Sequence, residues 1–202
     1  MKNKGILFVV SGPSGAGKGT ICKALIEKRK DLFLSISATT RKPRPGEVDG
    51  VNYYFLSEEE FLEKIKNNGF LEHAFFCGNY YGTPKDKVYE KLSQGIDVIL
   101  EIEVQGAMKV RAEHPEAVFI FVLPPSMKEL KERLINRNTE PIEIINQRLN
   151  TAAFEIGHVK KYNYIILNDE IEKAVERFEA IIEAEKCRIE RNVEFINEVF
   201  MS

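Results

Sequence analysis

A chain of 202 residues is long enough for one or two compact domains that bury a substantial core without disulfide staples. Its 44% hydrophobic and 30% charged residues, with no apolar stretch near the ~18 residues of a membrane span, exclude disordered, collagen-like and transmembrane classes. The 29 Lys and Arg against 31 Asp and Glu leave a net charge of -2, so no global electrostatic footprint for nucleic acid or an anionic membrane is present, and any anion must be bound locally.

The amino end, Met1 to Lys4, is basic, but the apolar run Ile6 to Val10 is too short for a secretory signal and reads as a buried first strand. Cys22, Cys77 and Cys187 are odd in number, widely separated and without metal-ligand spacing. They read as inert thiols in a reducing, cytoplasmic setting. After the glycine-rich stretch Ser11 to Gly19, apolar residues at Ile21, Ala24 and Leu25 predict a helix, which makes the first unit strand, loop, helix.

The middle of the chain has a different grammar. Arg41 to Gly50 is rich in Pro, Gly and charge. Val51 to Phe55 and Phe70 to Phe76 are predicted strands joined by a helix capped at Ser57, together an inserted subdomain. Thr83 and Pro84 resemble an N-cap and first helical residue, with Gly95 past the end of that helix. Ile96 to Ile102 and Ala117 to Leu123 are predicted strands followed by helical periodicity, the second helix opening on a capping box, Ser126 to Glu129. A last strand, Tyr164 to Leu167, precedes a long amphipathic helix with Ile171, Val175, Phe178, Ile181 and Ile182 on its inner face. The pattern is an α/β sandwich on a parallel sheet.

Gly12, Pro13, Ser14, Gly15, Ala16, Gly17 and Lys18 match G-x-x-x-x-G-K, between a predicted strand and a predicted helix as a phosphate-binding P-loop requires. Glycines let backbone N–H groups turn toward phosphate oxygens, and Lys18 can reach the β- and γ-phosphates. Gly19 follows Lys18, so the hydroxyl that usually meets Mg²⁺ is displaced to Thr20. Glu101 and Glu103, at the end of a strand, are positioned to orient the metal's water shell or to be a solvated strand end. Arg41 and Arg44 lie on a Pro-stiffened loop suited to a second phosphate or to plain solvated surface. Tyr80 and Tyr81 offer aromatic hydroxyls or ordinary hairpin packing. His73, His114 and His158 are scattered and give no hydrolase or zinc pattern.

The stretches GPSGAGKGT at 12–20, SATTRKPRPGE at 37–47, GNYYGT at 78–83 and LEIEVQGA at 100–107 closely resemble the guanylate kinase family, and the similarity spans nearly the whole chain. The resemblance implies a three-layer P-loop NTPase fold in one domain. Its core covers about 1–36, 89–125 and 158–202, with a GMP-binding insertion at about 37–88 and a helical lid at about 126–157. It implies the reaction ATP + GMP ⇌ ADP + GDP, with dGMP as a further acceptor, Mg²⁺ accompanying ATP, and only small molecules as partners. Ser37, Arg41, Arg44, Tyr53, Glu72, Tyr81 and Thr83 match the family's GMP pocket, Arg41 also counting among the catalytic residues with Lys18, and Glu101 and Glu103 are taken with them as GMP-binding residues. Arg133, Arg137 and Arg148 match arginines that meet the transferring phosphoryl group, and Asn168 and Asp169 match a segment near adenine. Surface decoration competes as an explanation for Arg133 and Arg137, and helix capping for Asn168 and Asp169. A kinase of another nucleoside monophosphate and a non-catalytic module of the same fold are the alternatives.

Overall fold

The structure is a computed structural model that describes residues 4–76, 78–136 and 141–201; Cys77 and Arg137 therefore lie outside the described residues. In chain order the first unit is β1 (Leu7–Ser11), α1 (Lys18–Lys28) and β2 (Leu32–Leu34). The second holds β3 (Ala38–Thr39), β4 (Tyr54–Phe55), α2 (Glu58–Lys66), β5 (Phe70–Phe76) and β6 (Asn79–Pro84). Then follow α3 (Lys85–Ser93), β7 (Asp97–Glu101), α4 (Val104–Glu113), β8 (Val118–Leu123), α5 (Met127–Asn136), α6 (Ile142–Ile156), β9 (Tyr164–Leu167), α7 (Ile171–Lys186) and α8 (Val193–Met201). None of the described helices is long and apolar enough to cross a membrane.

Every residue of β1 is buried, because the strand runs through the middle of a parallel sheet of order β2-β7-β1-β8-β9. Alternate side chains feed two cores. Phe8, Val10, Ile120, Val122 and Ile166 meet Ile21 and Leu25 of α1 and Val175, Phe178 and Ile182 of α7 on one face. Leu7, Val9, Leu100 and Phe119 meet Val88 and Leu92 of α3 and Ala107 and Val110 of α4 on the other. The result is three layers, with β1 ending at the glycine-rich loop. The short strand β2 carries no distinct pattern in Asp31–Leu34. It forms because Phe33 and Leu34 pair with Val98 and Ile99 at the sheet edge.

A second sheet, β4-β3-β6-β5, is built from the inserted segment. The helix predicted from Ser57 is α2, with both halves of its capping box in place. Its Phe61 is fully buried and stacks on Phe70 at 4.3 Å and on Tyr80 at 5.4 Å between ring centroids. The strand predicted over Val51 to Phe55 shrinks to Tyr54–Phe55. Asn52 Oδ1 accepts from Val48 N and Asp49 Oδ1 from Phe55 N, and these side-chain bonds fold 48–53 into a turn.

Thr83 is not the N-cap expected from the sequence. It and Pro84 finish β6, Pro84 holds the cap position of α3, and the Thr83 hydroxyl donates to Glu72 instead. Gly95 does end that helix, at φ 77°, with Ile96 N donating to Lys91 O and Gly95 N to Leu92 O. At the capping box of α5, Ser126 Oγ accepts from Glu129 N while the Glu129 carboxylate pairs with Arg133.

The predicted last helix is also interrupted. α7 stops at Lys186, where Asn192 Nδ2 donates to the carbonyls of Lys186 and Arg188, and the fully buried Glu185 gathers Tyr164, Arg188 and Arg191. The inner face of α7 comprises Ala174, Val175, Phe178, Ile181 and Ile182, with Ile171 partly buried.

Candidate active site

Gly12–Lys18 joins the C-terminal end of β1 to the first turn of α1. Gly12, Gly15 and Gly17 have φ of 147°, 90° and 92°, so the loop winds through conformations that side chains disfavour. At Gly17 there is no space either: a Cβ there would lie 2.2 Å from Asn168 Nδ2. That amide is buried at the end of β9 and donates to Ala16 O at 2.7 Å. Gly15 faces Leu130 and Leu134, so α5 packs directly on the loop. Arg133, also on α5, donates to Ala16 O at 3.5 Å and to Asn168 O at 2.9 Å.

The loop opens on a cavity of about 520 Å³ lined by Ser14, Gly15, Gly17, Lys18, Gly19, Thr20, Lys23 and Glu101. Lys18 Nζ folds back onto Gly12 O at 2.6 Å and Pro13 O at 3.2 Å. Burial pushes the Lys18 pKa down, opposed by the charges of Glu101, Glu155 and Glu103 in that order. Desolvation raises the Glu101 carboxyl, opposed by Lys18 and Lys23. Glu101 is nonetheless open to solvent at the cavity mouth, where water screens its charge. Its carboxylate lies beside Gly19, 3.2 Å from where a Cβ would stand, whereas Glu103 is the N-cap residue of α4. Thr20 is exposed on α1. A larger cavity, about 1090 Å³, lies at the opposite end of the sheet by Gly5, Asp97, His114 and Lys186, remote from the loop.

Across from the loop, the inserted sheet collects most of the other predicted residues. Register places Tyr81 opposite Thr39, two residues before Arg41. The Arg41 guanidinium lies 5.4 Å from the centroid of Tyr53 and 5.9 Å from that of Phe55, and the Tyr53 and Tyr81 rings are 6.2 Å apart. Glu47, whose role the sequence left open, holds this loop together. It accepts from Arg41 Nη2 at 2.8 Å and from Arg44 N at 2.7 Å. The Arg41 hydrogen bond, and then that from Arg44 N, hold the Glu47 carboxyl below its usual range. The spacing of Glu47 from two basic residues across a Pro-Gly turn is the signal that could have marked it.

On the neighbouring strands, the buried Thr83 hydroxyl donates to Glu72 Oε1 at 2.8 Å. Burial raises the Glu72 carboxyl, opposed by the Thr83 hydrogen bond and by the charge of Lys109. Ser37 contributes its carbonyl to Tyr54 N at 2.9 Å and is half-buried beside β4.

Other predicted residues are distributed less tightly. Arg148 is half-buried on α6. Asp169 turns away to pair with Arg177 of α7 at 2.6 Å, and neither it nor Asn168 caps that helix, whose N-cap is Glu170. Cys22 is buried and its thiol is pushed far up by desolvation, as an inert thiol should be; Cys187 is exposed.

A glycine loop closing over a helix N-terminus at the carboxyl end of a parallel sheet, with an arginine- and tyrosine-lined sheet inserted opposite, defines a P-loop nucleotide kinase. The guanylate kinase family model matches residues 4–185. A guanylate kinase of Clostridium perfringens (strain 13) is 59% identical over 189 residues, which is 94% of this chain and 88% of that one. One of Caldanaerobacter subterraneus subsp. tengcongensis is 59% identical over 192 residues, 95% and 93% of the two chains. The crystal structure of guanylate kinase from Anaplasma phagocytophilum superposes with a TM-score of 0.77 at 35% identity, over 98% of this chain and 95% of that one. The chain belongs to the guanylate kinase family and is an enzyme that phosphorylates GMP.

Proposed function

We propose that the chain passes the γ-phosphoryl group of ATP directly to GMP or dGMP, with Gly12–Thr20 cradling the donor and the inserted sheet presenting the acceptor. The observation that carries this reading is the segment from Glu101 to Gly106, whose first carboxylate borders Gly19 of the phosphate loop while Gly106 abuts the carboxylate of Glu72. One short stretch of chain thus touches both sites.

Guanine displays N1–H and N2–H₂ side by side, and the Glu72 carboxylate can accept from both while Thr83 or Ser37 donates to O6. Adenine presents an acceptor at N1 and would leave Glu72 unpaired, a mismatch able to discriminate by roughly 10⁴–10⁵. Arg41 and Arg44 supply charge for the GMP phosphate, and Tyr53 and Tyr81 supply direction. The acceptor needs no general base, because a phosphate monoester with a second pKa of about 6 is already largely dianionic at neutral pH.

Lys18 exchanges the carbonyls of Gly12 and Pro13 for phosphate oxygens, guiding charge on the γ-phosphate. Arg133, Arg137 and Arg148 add positive charge as the lid residues, about 126–157, close and exclude water. Arg133 also holds α5 on the loop through Ala16 and Asn168. Asn168 and Asp169 lie on the adenine side.

The hard oxygens of Thr20, Glu101 and Glu103 suit Mg²⁺. Among the described residues no group of three or more His, Cys, Asp or Glu is arranged to hold a metal. Thr20 would hold it, directly or through water, with the two carboxylates orienting that water, and bound Mg²⁺ supplies charge neutralisation at the β- and γ-phosphates.

Lys18→Met should abolish ADP formation while GMP binding stays within about twofold, since the two sites are separate. Offering GMP, dGMP, AMP, CMP and UMP with ATP tests the acceptor; a preference for AMP would refute the role given to Glu72.

A further inference from the structure

We infer that Gly106 is a specificity-determining position: by lacking a side chain, this residue of α4 leaves the Glu72 carboxylate free to stand where both donors of guanine reach it. The inference rests on the reading of Glu72 as the guanine acceptor.

Gly106 sits in the first turn of α4 with an ordinary φ, so nothing in its backbone calls for glycine, and alanine is the better helix former. What excludes a larger residue is the neighbour. A Cβ at 106 would stand 3.0 Å from Glu72 Oε2 and 3.3 Å from Cδ, so the carboxylate must give way by a few tenths of an ångström, while Cγ at 3.4 Å is at the edge of ordinary contact. Glu72 has little room to yield. Its other oxygen is held by Thr83 at 2.8 Å, and its backbone carbonyl lies against Gly82, where a Cβ would be 2.9 Å away. α4 is itself fixed over β5, since Lys109 Nζ donates to His73 O at 2.8 Å. A methyl group at 106 therefore relaxes by swinging the carboxylate off Thr83. That rotation takes one oxygen out of line with the base while leaving the phosphate loop alone.

The test compares Gly106→Ala, Glu72→Gln, Glu72→Asp and Gly106→Ala/Glu72→Asp. The readouts are KM for GMP and for ATP, the kcat/KM ratio of GMP to inosine monophosphate, and Tm. Inosine monophosphate lacks the 2-amino group, so it reports the second of the two contacts. Gly106→Ala is expected to raise KM for GMP by on the order of tenfold, the loss of one hydrogen bond to a charged group. KM for ATP should stay within about twofold, Tm should fall by no more than a few degrees because the better helix former offsets part of the lost Thr83 hydrogen bond, and the preference for GMP over inosine monophosphate should narrow. In the Glu72→Asp background, where the carboxylate is withdrawn by one methylene, adding Gly106→Ala should change KM for GMP by less than about twofold. That pair also serves if Gly106→Ala alone folds poorly.

An unchanged KM for GMP in Gly106→Ala, alongside a large rise in Glu72→Gln, would overturn the inference and leave the reading of Glu72 standing. An equal loss of both substrates with lowered Tm, or a full penalty in the aspartate background, would overturn it as well. No effect of Glu72→Gln on GMP would overturn the reading itself.

Discussion

Gly17 and Asn168 are coupled across the whole length of the chain, and the coupling can be measured. Gly17→Ala introduces a Cβ 2.2 Å from an amide that is buried and already bonded to Ala16 O at 2.7 Å. The new methyl must expel that amide, which leaves the Ala16 carbonyl with only the 3.5 Å contact from Arg133, at a cost of about 1–3 kcal/mol. It must also hold an L-residue at φ 92°, worth about 1–2 kcal/mol more. The single variant should thus lose roughly 2–5 kcal/mol. Asn168→Ala alone loses only the hydrogen bond, roughly 1–3 kcal/mol. In the double variant the methyl has nothing left to expel, so its loss should equal that of Gly17→Ala, giving an interaction energy of about -1 to -3 kcal/mol. Urea unfolding of the three variants without nucleotide measures all of these quantities, and at this chain length each kcal/mol moves Tm by roughly 2–4 °C. Additive losses would show that the loop and the end of β9 are not in contact as described.

Three further outcomes are expected. Glu185→Ala leaves Tyr164, Arg188 and Arg191 without their common acceptor and should cost about 1–3 kcal/mol in urea unfolding, because the two arginines are partly exposed and water takes over, with KM for both substrates unchanged; a kinetic change of more than about threefold would place this cluster in the site. Glu47→Gln frees Arg41 and loosens the loop, so KM for GMP should rise several-fold while KM for ATP does not, and a rise confined to ATP would contradict that role. The Glu72 carboxyl is held above its usual range by burial and must be ionised to accept from guanine, so the Tm gain from GMP should shrink as pH falls through that raised value. In free enzyme the sign reverses: the same group contributes stability below its unfolded value, near 4.3, and loses it as pH rises through the folded one. Glu72→Gln should remove the Glu72 share of both dependences, leaving titration of the GMP phosphate near pH 6 and of other shifted carboxyls such as Glu101 and Glu47, and two unchanged dependences would assign them elsewhere.

Three buried strands were legible because burial on both faces writes itself as an apolar run: Leu7–Ser11, Asp97–Glu101 and Val118–Leu123 differ from the expected spans by one residue or none at either end. Tyr164–Leu167 matches its expected span too, although it is an edge strand with Ile165 and Leu167 exposed. The same logic fails where pairing rather than side-chain pattern creates the strand. Ala38–Thr39 is too short to show alternation and exists because Tyr54 and Tyr81 flank it, and Leu32–Leu34 exists because β7 offers an edge. Thr83 was misread because a Thr-Pro pair has two uses. A hydroxyl can cap a helix only if nothing nearer needs its proton, and here Glu72, eleven residues earlier, does.

The division was similar at the site. Glycines and a lysine in fixed spacing announce a phosphate loop because every residue of that device is local. Its supports are not local: Asn168, Leu130, Leu134 and Arg133 reach it from β9 and α5, over a hundred residues away, and no spacing rule joins them. Gly106 is the sharper case. Its stretch, LEIEVQGA at 100–107, carries the family resemblance, but local pattern alone reads this glycine as a weak spot in a helix, and only the approach of Glu72 from the inserted sheet gives the absence of a side chain a purpose. Where a residue type disfavoured by its own secondary structure faces a tethered polar group, the conflict itself points to the substrate's place.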